Sequence, residues 1–202
     1  MSEMDKSVDQ SKRNWIMTTC AAGGVGVAAT AVPFVSSFSP SERAKAAGAA
    51  VEVDISALKV GEKMTVEWRG KPVWIIRRSP EQLASLKKVS GQLADPDSKR
   101  NPADLTPMLD TRNEYRSLKP EVFVAVGICS HLGCSPSDKF ATGAQPSLGD
   151  DWQGGFLCPC HGSTFDMAGR VYKNKPAPDN LEIPPHMYVS ENKLVIGEDK
   201  KA

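Results

Sequence analysis

Two short stretches, Cys129-Ser130-His131-Leu132-Gly133-Cys134 and Cys158-Pro159-Cys160-His161-Gly162-Ser163, decide the organisation of this chain of 202 residues. Each stretch places a Cys and a His two or three residues apart and adds one further Cys. We interpret the first Cys of each stretch and both His as metal ligands: Cys129, His131, Cys158 and His161. Cys134 and Cys160 then remain as a matched pair. Two thiolates with two imidazoles favour a soft metal or an iron–sulfur centre.

Length and composition set broad limits on the architecture. A chain of 202 residues has room for one globular domain and an appendage. The formal net charge of +1 gives no support for nucleic-acid binding or for a steering field, and we expect no nucleic-acid partner. Four of the five Cys lie in the two stretches, and Cys20 stands alone near the N-terminus.

An uncharged segment near the N-terminus predicts a membrane anchor. No charged residue lies between Arg13 and Glu42, and about 20 apolar residues suffice to cross the hydrocarbon of a bilayer. We therefore expect residues 1–13 to form a cytoplasmic tail and residues 14–38 to form a single transmembrane helix. A cleaved secretory signal is the alternative, because Lys12 and Arg13 before the apolar run resemble a twin-arginine export signal.

The segment that follows, residues 39–50, predicts a linker. It has few large side chains, so it buries little against the rest of the chain. Fully extended, it reaches about 40 Å at ~3.3–3.6 Å per residue. It fits either a flexible hinge or an inert spacer.

From residue 51 onward the pattern is that of a mainly β domain. Alternating or apolar runs predict short strands at residues 51–55, 63–68, 72–77, 121–128, 181–183, 187–189 and 193–196. One short helix is expected from Pro80 to about Lys88, with Ser79 as N-cap and Gln82 completing a capping box. Residues 91–118 are polar, contain several prolines and are expected to be mostly loop. Many short strands and few helices favour an antiparallel β sandwich or barrel-like domain.

The motifs C-x-H-x-G-C and C-P-C-H-G-S resemble those of the Rieske family. The chain as a whole resembles the Rieske iron–sulfur subunits of bacterial ubiquinol–cytochrome c reductases. The resemblance implies one [2Fe–2S] cluster, held by Cys129 and Cys158 on the inner iron and by His131 and His161 on the outer iron. It also implies a disulfide between Cys134 and Cys160, which points to an oxidising compartment.

The resemblance also assigns roles to residues next to the ligands. Gly133 and Gly162 let the backbone approach the cluster, and Ser163 can donate a hydrogen bond to a bridging sulfide. Phe165 stands where many relatives have Tyr, so a hydroxyl donor is missing. We therefore expect a lower redox potential than in a relative with Tyr at this position.

Two further segments are interpreted through the resemblance. Leu132 is expected to cover the cluster between the imidazoles, and Pro176 and Pro178 are expected to form a rigid wall on its third side. Residues 135–157 resemble an insertion of bacterial members, which we expect to be exposed to solvent and without a chemical role.

The implied function is electron transfer within a proton-translocating enzyme. Such a subunit accepts an electron and a proton from ubiquinol, here with His161 as the first candidate and His131 as the second, and passes the electron to a c-type cytochrome. The implied partners are a cytochrome b subunit and a c-type cytochrome subunit in a dimeric complex of the bacterial inner membrane. The head, residues 51–202, would lie in the periplasm, with its cluster-binding part at about 127–178 and residues 39–50 as its hinge.

Three alternatives remain open from the residues. A Cys₂His₂ set also binds structural zinc, which visible absorbance and an electron paramagnetic resonance signal on reduction would exclude. A soluble Rieske-type ferredoxin or oxygenase domain usually lacks the extra pair of Cys. The iron–sulfur subunit of another oxidase, such as an arsenite oxidase, can share an export signal and a disulfide, and co-purification with b- and c-type haem would discriminate it.

Overall fold

The computed structural model describes residues 9–42, 48–100 and 109–199. The chain divides into two compact units, Met1–Ala46 and Ala47–Ala202. Part of the expected hinge, residues 43–47, lies outside the described residues, as do residues 101–108 of the expected loop.

Helix α1 of the N-terminal unit runs from Gln10 to Ser36. Asp9 caps it, since its carboxylate accepts hydrogen bonds from the amides of Ser11 and Lys12. This cap lies before the basic residues, so the helix begins earlier than the predicted span of residues 14–38. The helix has 27 residues and contains an apolar stretch with a mean hydropathy of 1.5, so by length and composition it suffices to cross a membrane; an N-terminal export signal has the same properties.

Nine short strands form three antiparallel sheets in the described part of the head. They are β1 Val51–Asp54, β2 Lys63–Trp68, β3 Lys71–Arg77, β4 Val122–Val126, β5 Ser137–Lys139, β6 Gly155–Leu157, β7 Thr164–Phe165, β8 His186–Ser190 and β9 Lys193–Ile196. The strand orders are β1-β9-β8, β2-β3-β4 and β5-β6-β7, and all pairings are antiparallel. The predicted mainly β, antiparallel fold is confirmed.

Strands β3 and β4 separate two buried cores, because successive side chains of a strand point to opposite faces of its sheet. Val73 and Ile75 pack into one core together with residues of β1 and β9. Trp74 and Ile76 pack into the other core, which also contains the first Cys of each motif. One face of the β2-β3-β4 sheet therefore packs against the core that contains the first Cys of each motif.

Helix α2, Pro80–Lys88, confirms the capping prediction. The Ser79 hydroxyl oxygen accepts a hydrogen bond from the Gln82 amide at 3.2 Å, and the Gln82 side-chain oxygen accepts one from the Ser79 amide at 2.9 Å. This reciprocal pair is a complete capping box. Leu86 anchors the helix in the core beneath the motifs.

The strand predicted at residues 181–183 is wrong, and three very short strands, β5, β6 and β7, were not expected. The Leu181 amide donates to the carbonyl of Gly169, whereas the Glu182 carbonyl accepts from the amide of Val126. These bonds go to different segments, so no ladder forms. Strands β5 and β6 contain three residues each and β7 contains two, which is too short for a detectable alternation of apolar and polar residues.

The insertion at residues 135–157 is exposed or half-buried between residues 141 and 151, but the expectation of an exposed segment is wrong for two aromatic residues. Trp152 is 5% exposed, and its ring N–H donates to the Lys139 carbonyl at 2.9 Å. Phe156 is fully buried and stacks on Trp74 with the ring centroids 4.9 Å apart. The insertion therefore contributes to the core beneath the motifs.

His186 on β8 predicts an acid-sensitive step in the stability of the head. It is buried, its Nδ1–H donates to the Pro184 carbonyl at 2.8 Å, and burial lowers its pKa below the ordinary value of 6.5. The unfolded chain then binds a proton more readily than the folded chain, so stability falls as the pH drops from about 6.5 through the folded-state pKa. We expect the denaturation midpoint of the wild type to fall between about pH 7.5 and pH 5 more than that of His186→Gln. Equal falls in both proteins would assign the acid sensitivity to other groups.

Candidate metal centre

The first motif folds into a closed loop, Cys129–Cys134, called here the first ligand loop. The Cys129 amide donates to the Cys134 carbonyl at 2.8 Å, and the Gly133 amide donates back to the Cys129 carbonyl at 3.1 Å. Gly133 has a φ of +82°, a conformation that favours glycine. Strand β4 delivers the chain into this loop from the buried sheet.

The second motif, Cys158–Ser163, is the second ligand loop and repeats the same hydrogen bonds. The Cys158 amide donates to the Ser163 carbonyl at 2.8 Å, and the Gly162 amide donates to the Cys158 carbonyl at 3.0 Å. Gly162 has a φ of +74°. Each glycine is thus the fifth residue of a six-residue loop, and the same two backbone hydrogen bonds close both loops.

A disulfide between Cys134 and Cys160 joins the two ligand loops, which confirms the predicted bond. The thiol sulfur of Cys158 and the two disulfide sulfurs all lie within 4.8 Å of one another. Because Cys134 and Cys160 are bonded to each other, Cys158 is the member of this group that can bind a metal.

The predicted thiolate ligands, Cys129 and Cys158, are free thiols, each 2% exposed, in the same buried core. Burial raises the pKa of the Cys129 thiol, and the neighbouring Cys158 raises it further. Two adjacent buried thiols ionise readily only when a cation compensates their charge. This chemistry fits a metal centre between the loops.

The predicted imidazole ligands, His131 and His161, lie together at the surface end of the loops. Their ring centroids are 4.8 Å apart and their planes are nearly perpendicular, at 84°. The Nδ1 atom of His131 is buried without a hydrogen-bond partner. A buried nitrogen without a protein partner is costly unless something else binds it, and a metal would do so. The donor set therefore fits a cluster with two sulfur and two nitrogen ligands.

Three apolar residues of the first ligand loop and the proline segment, called here the apolar rim, are exposed to solvent. Leu132, between His131 and the loop glycine, is 71% exposed, so it presents its side chain to solvent. Pro176 and Pro178 are exposed as well, whereas Ala177 between them is buried.

The proline segment contacts both ligand loops. The Ala177 amide donates to the Ser163 hydroxyl oxygen at 2.9 Å, and the Ser130 hydroxyl donates to the Asp179 carbonyl at 2.6 Å. Since the Ser163 oxygen accepts in this bond, its own proton remains available to donate towards the site. The role of Ser130 was not predicted, because its partner lies 49 residues away in the sequence.

Two buried aromatic residues and a glycine shape the floor of the site. Phe165 of β7 is fully buried and pairs in register with Phe156 of β6. A Cβ atom on Gly127 would lie 2.2 Å from the indole ring of Trp74, so only glycine fits where β4 leads into the first ligand loop. Sequence reasoning did not single out Gly127, because the ring that excludes a side chain there belongs to another strand.

Comparison with known proteins agrees with this geometry. Residues 103–185 match the Rieske [2Fe-2S] domain, and residues 4–41 match the "Ubiquitinol-cytochrome C reductase Fe-S subunit TAT signal". The chain is 50% identical over 190 residues to the ubiquinol-cytochrome c reductase iron-sulfur subunit of Allochromatium vinosum, which covers 94% of this chain and 89% of that protein. The chain belongs to the family of ubiquinol–cytochrome c reductase iron–sulfur subunits.

A second relative and a solved structure are also similar to this chain. The iron-sulfur subunit of Blastochloris viridis is 36% identical over 195 residues, covering 95% of each chain. A chain of a hyperthermophilic respiratory Complex III is 27% identical, with a TM-score of 0.44 over 88% of this chain and 97% of that one. The matches to the Rieske [2Fe-2S] domain and to the curated iron–sulfur subunits confirm the predicted Rieske resemblance and its [2Fe–2S] cofactor.

Proposed function

We propose that this iron–sulfur subunit accepts an electron and a proton from ubiquinol and passes the electron to a c-type cytochrome. The observation that carries the proposal is the gathering of two buried thiols and two imidazoles by disulfide-joined loops. Its relatives are named as subunits of a ubiquinol–cytochrome c reductase, which supports a membrane complex with cytochrome partners.

We assign the ligands as the sequence predicts: Cys129 and Cys158 on one iron, His131 and His161 on the other. When bound, the cluster supplies a one-electron acceptor with a potential of about −150 to +300 mV, against about −400 mV for plant-type ferredoxins. The buried Nδ1 of His131 faces the site in this assignment, which leaves Nε2 of the ring to exchange protons.

His161 is the residue that meets the quinol in this proposal. Its side chain is exposed, whereas that of His131 is half-buried. The outer ring nitrogen of His161 accepts a hydrogen bond from the quinol hydroxyl and then takes its proton as the electron leaves the quinol. In this proposal the exposed Leu132, Pro176 and Pro178 make the approach to His161 apolar, which strengthens the hydrogen bond.

The same apolar rim suits docking against partner subunits. Exposed apolar side chains clustered around a polar centre mark interaction surfaces. We propose that the rim meets the cytochrome b subunit in one position and the c-type cytochrome in another. In this arrangement α1 is the retained anchor in the bacterial inner membrane, residues 39–50 are the hinge, the head lies in the periplasm and the whole complex is a dimer.

A redox titration over a range of pH tests the proposed chemistry. In the detergent-solubilised full-length protein, the midpoint potential is expected to be constant at low pH. It should then fall by about 59 mV per pH unit above the pKa of the first histidine to titrate in the oxidised state, because one proton accompanies one electron. A midpoint that does not change up to strongly alkaline pH would defeat the proposal, and a colourless zinc protein would replace it with the structural-metal alternative.

Phe165→Tyr is expected to raise the midpoint potential by about 40 mV. The Phe165 ring lies in the same buried core as both thiols, so an added hydroxyl can donate a hydrogen bond to a ligand sulfur. A bond worth about 1 kcal/mol more in the reduced, more negative state corresponds to this shift, since a tenfold change in a one-electron equilibrium is about 59 mV. Phe140→Tyr, in a partly buried ring beside Phe156, is the control and should leave the potential unchanged. No rise in Phe165→Tyr would show that the hydroxyl does not reach the sulfur.

A further inference from the structure

Residues 172–179 form a loop, called here the proline loop, whose tip lies against both ligand loops. Lys175, Pro176 and Pro178 are exposed at the tip, and Ala177 is 4% exposed. The described hydrogen bonds between the tip and the ligand loops are made with two hydroxyls, those of Ser163 and Ser130. Because these hydrogen bonds are few, the position of the tip also depends on how the base of the proline loop is held.

One side chain closes the base of the proline loop. The side-chain oxygen of Asn180 accepts a hydrogen bond from the Val171 amide at 2.8 Å, which joins the residues on either side of the loop. The side-chain nitrogen of Asn180 donates to the Asp95 carbonyl at 2.9 Å and to the Ser98 hydroxyl at 3.2 Å. Asn180 is half-buried, so these bonds are partly shielded from competing water.

The segment that receives the Asn180 amide, residues 91–100, is itself held in a turn. The Asp95 carboxylate is buried and accepts the amides of Lys99 and Arg100, each at 2.9 Å. The Arg100 guanidinium donates to the Pro178 carbonyl at 3.1 Å, and the Lys173 amide donates to the Gln92 carbonyl at 2.9 Å. The proline loop is thus fastened along one side to a structured segment, with Asn180 at its base.

We propose that Asn180 is a positioning residue that holds the proline loop against the two ligand loops and so limits the access of water to the cluster. The inference rests on the proposed function, because it assumes that the ligand loops hold the cluster. Without the side-chain amide, the Val171 amide and the Asp95 carbonyl lose the partners that close the base. The tip is then retained by the two serine hydroxyls and by the Arg100 guanidinium, and it can separate from the site more readily.

The test compares Asn180→Ala with Asn113→Ala in the full-length, detergent-solubilised protein with its cluster. Asn113 is a matched control, because its amide also donates two bonds, to the carbonyls of Asp110 and Ser117, and accepts one, from the Tyr115 amide. No described hydrogen bond joins Asn113 to the proline loop. Both substitutions therefore remove the same number of side-chain hydrogen bonds from different parts of the head.

We expect Asn180→Ala to lose visible absorption in EDTA roughly tenfold faster than the wild type, since the loss of a net hydrogen bond changes an opening equilibrium by about that factor. In D₂O, deuterium modulation of the electron spin echo from the reduced cluster should increase, and the midpoint potential should shift. Asn113→Ala should match the wild type in all three measurements. A wild-type rate and wild-type modulation in Asn180→Ala would overturn the proposal, as would equal changes in both variants.

A second variant keeps the proposal testable if Asn180→Ala accumulates without a cluster. Asn180→Asp preserves an oxygen for the Val171 amide but replaces the donor to the Asp95 carbonyl with a second acceptor, and it is expected to show the same changes. A wild-type rate of cluster loss in Asn180→Asp would then overturn the role of the donated bonds. A wild-type protein that assembles no iron cluster would instead refute the proposed function, which separates the two failures.

Discussion

Cys158→Ser is expected to abolish the cluster and with it all quinol oxidation. The Cys158 thiol is buried in the core shared with Cys129 and lies beside the disulfide that joins the loops. A hydroxyl is a harder and much less acidic donor than a thiol, so it does not replace a thiolate on iron. Purified Cys158→Ser should contain no cluster iron, show no visible absorption and give no electron paramagnetic resonance signal on reduction.

Cys20→Ser provides the control for this experiment. Cys20 is also a free cysteine, but it is exposed on α1 and lies in the other structural unit. Its substitution should leave iron content and spectrum unchanged. A coloured Cys158→Ser protein with a normal electron paramagnetic resonance signal would contradict the assignment of Cys158 as a ligand and would show that another residue binds the iron.

Removal of the disulfide is expected to have the second largest effect. The bond between Cys134 and Cys160 closes a loop with a sequence separation of 26, which corresponds to a stabilisation of about 3 to 4 kcal/mol in the chain-entropy description. The double variant Cys134→Ala, Cys160→Ala should therefore have a lower unfolding midpoint and should release its cluster during purification. The ligand loops would then be held together mainly by the core and by the proline loop.

The two consequences are separated by measuring denaturation and cluster content in parallel. Wild-type protein treated with a strong reductant should reproduce the behaviour of the double variant if the covalent bond is responsible. If the double variant keeps its cluster and the wild-type unfolding midpoint, the cores alone position the loops and the disulfide has no structural role.

The parts of the fold that sequence predicts well are those whose cause is local. The capping box at Ser79 lies within four residues, and β4 is a continuous apolar run of five buried residues. The candidate ligands are found from the sequence for a similar reason, because each Cys and its His are close together in one short motif; the structure then brings the two thiols together and the two imidazoles together. Spacing within a motif is a property that the sequence displays directly.

The predictions that fail depend on distant partners. The run at Leu181 has the composition of a strand, yet its hydrogen bonds go to separate segments. Trp152 is buried because the Lys139 carbonyl and the Tyr172 ring lie next to it. In the sequence Asn180 is an ordinary polar loop residue. Its proposed role depends on its hydrogen bond to Asp95, which lies 85 residues earlier in the chain.

The repeated hydrogen bonds of the two ligand loops have a consequence for the division of labour between the histidines. The loops share one backbone design, but His131 is the third residue of its loop and His161 is the fourth. That offset of one position leaves one ring half-enclosed and the other open to solvent. A nearly duplicated scaffold therefore presents its two imidazoles unequally to solvent, and the imidazole of His161 is the more exposed.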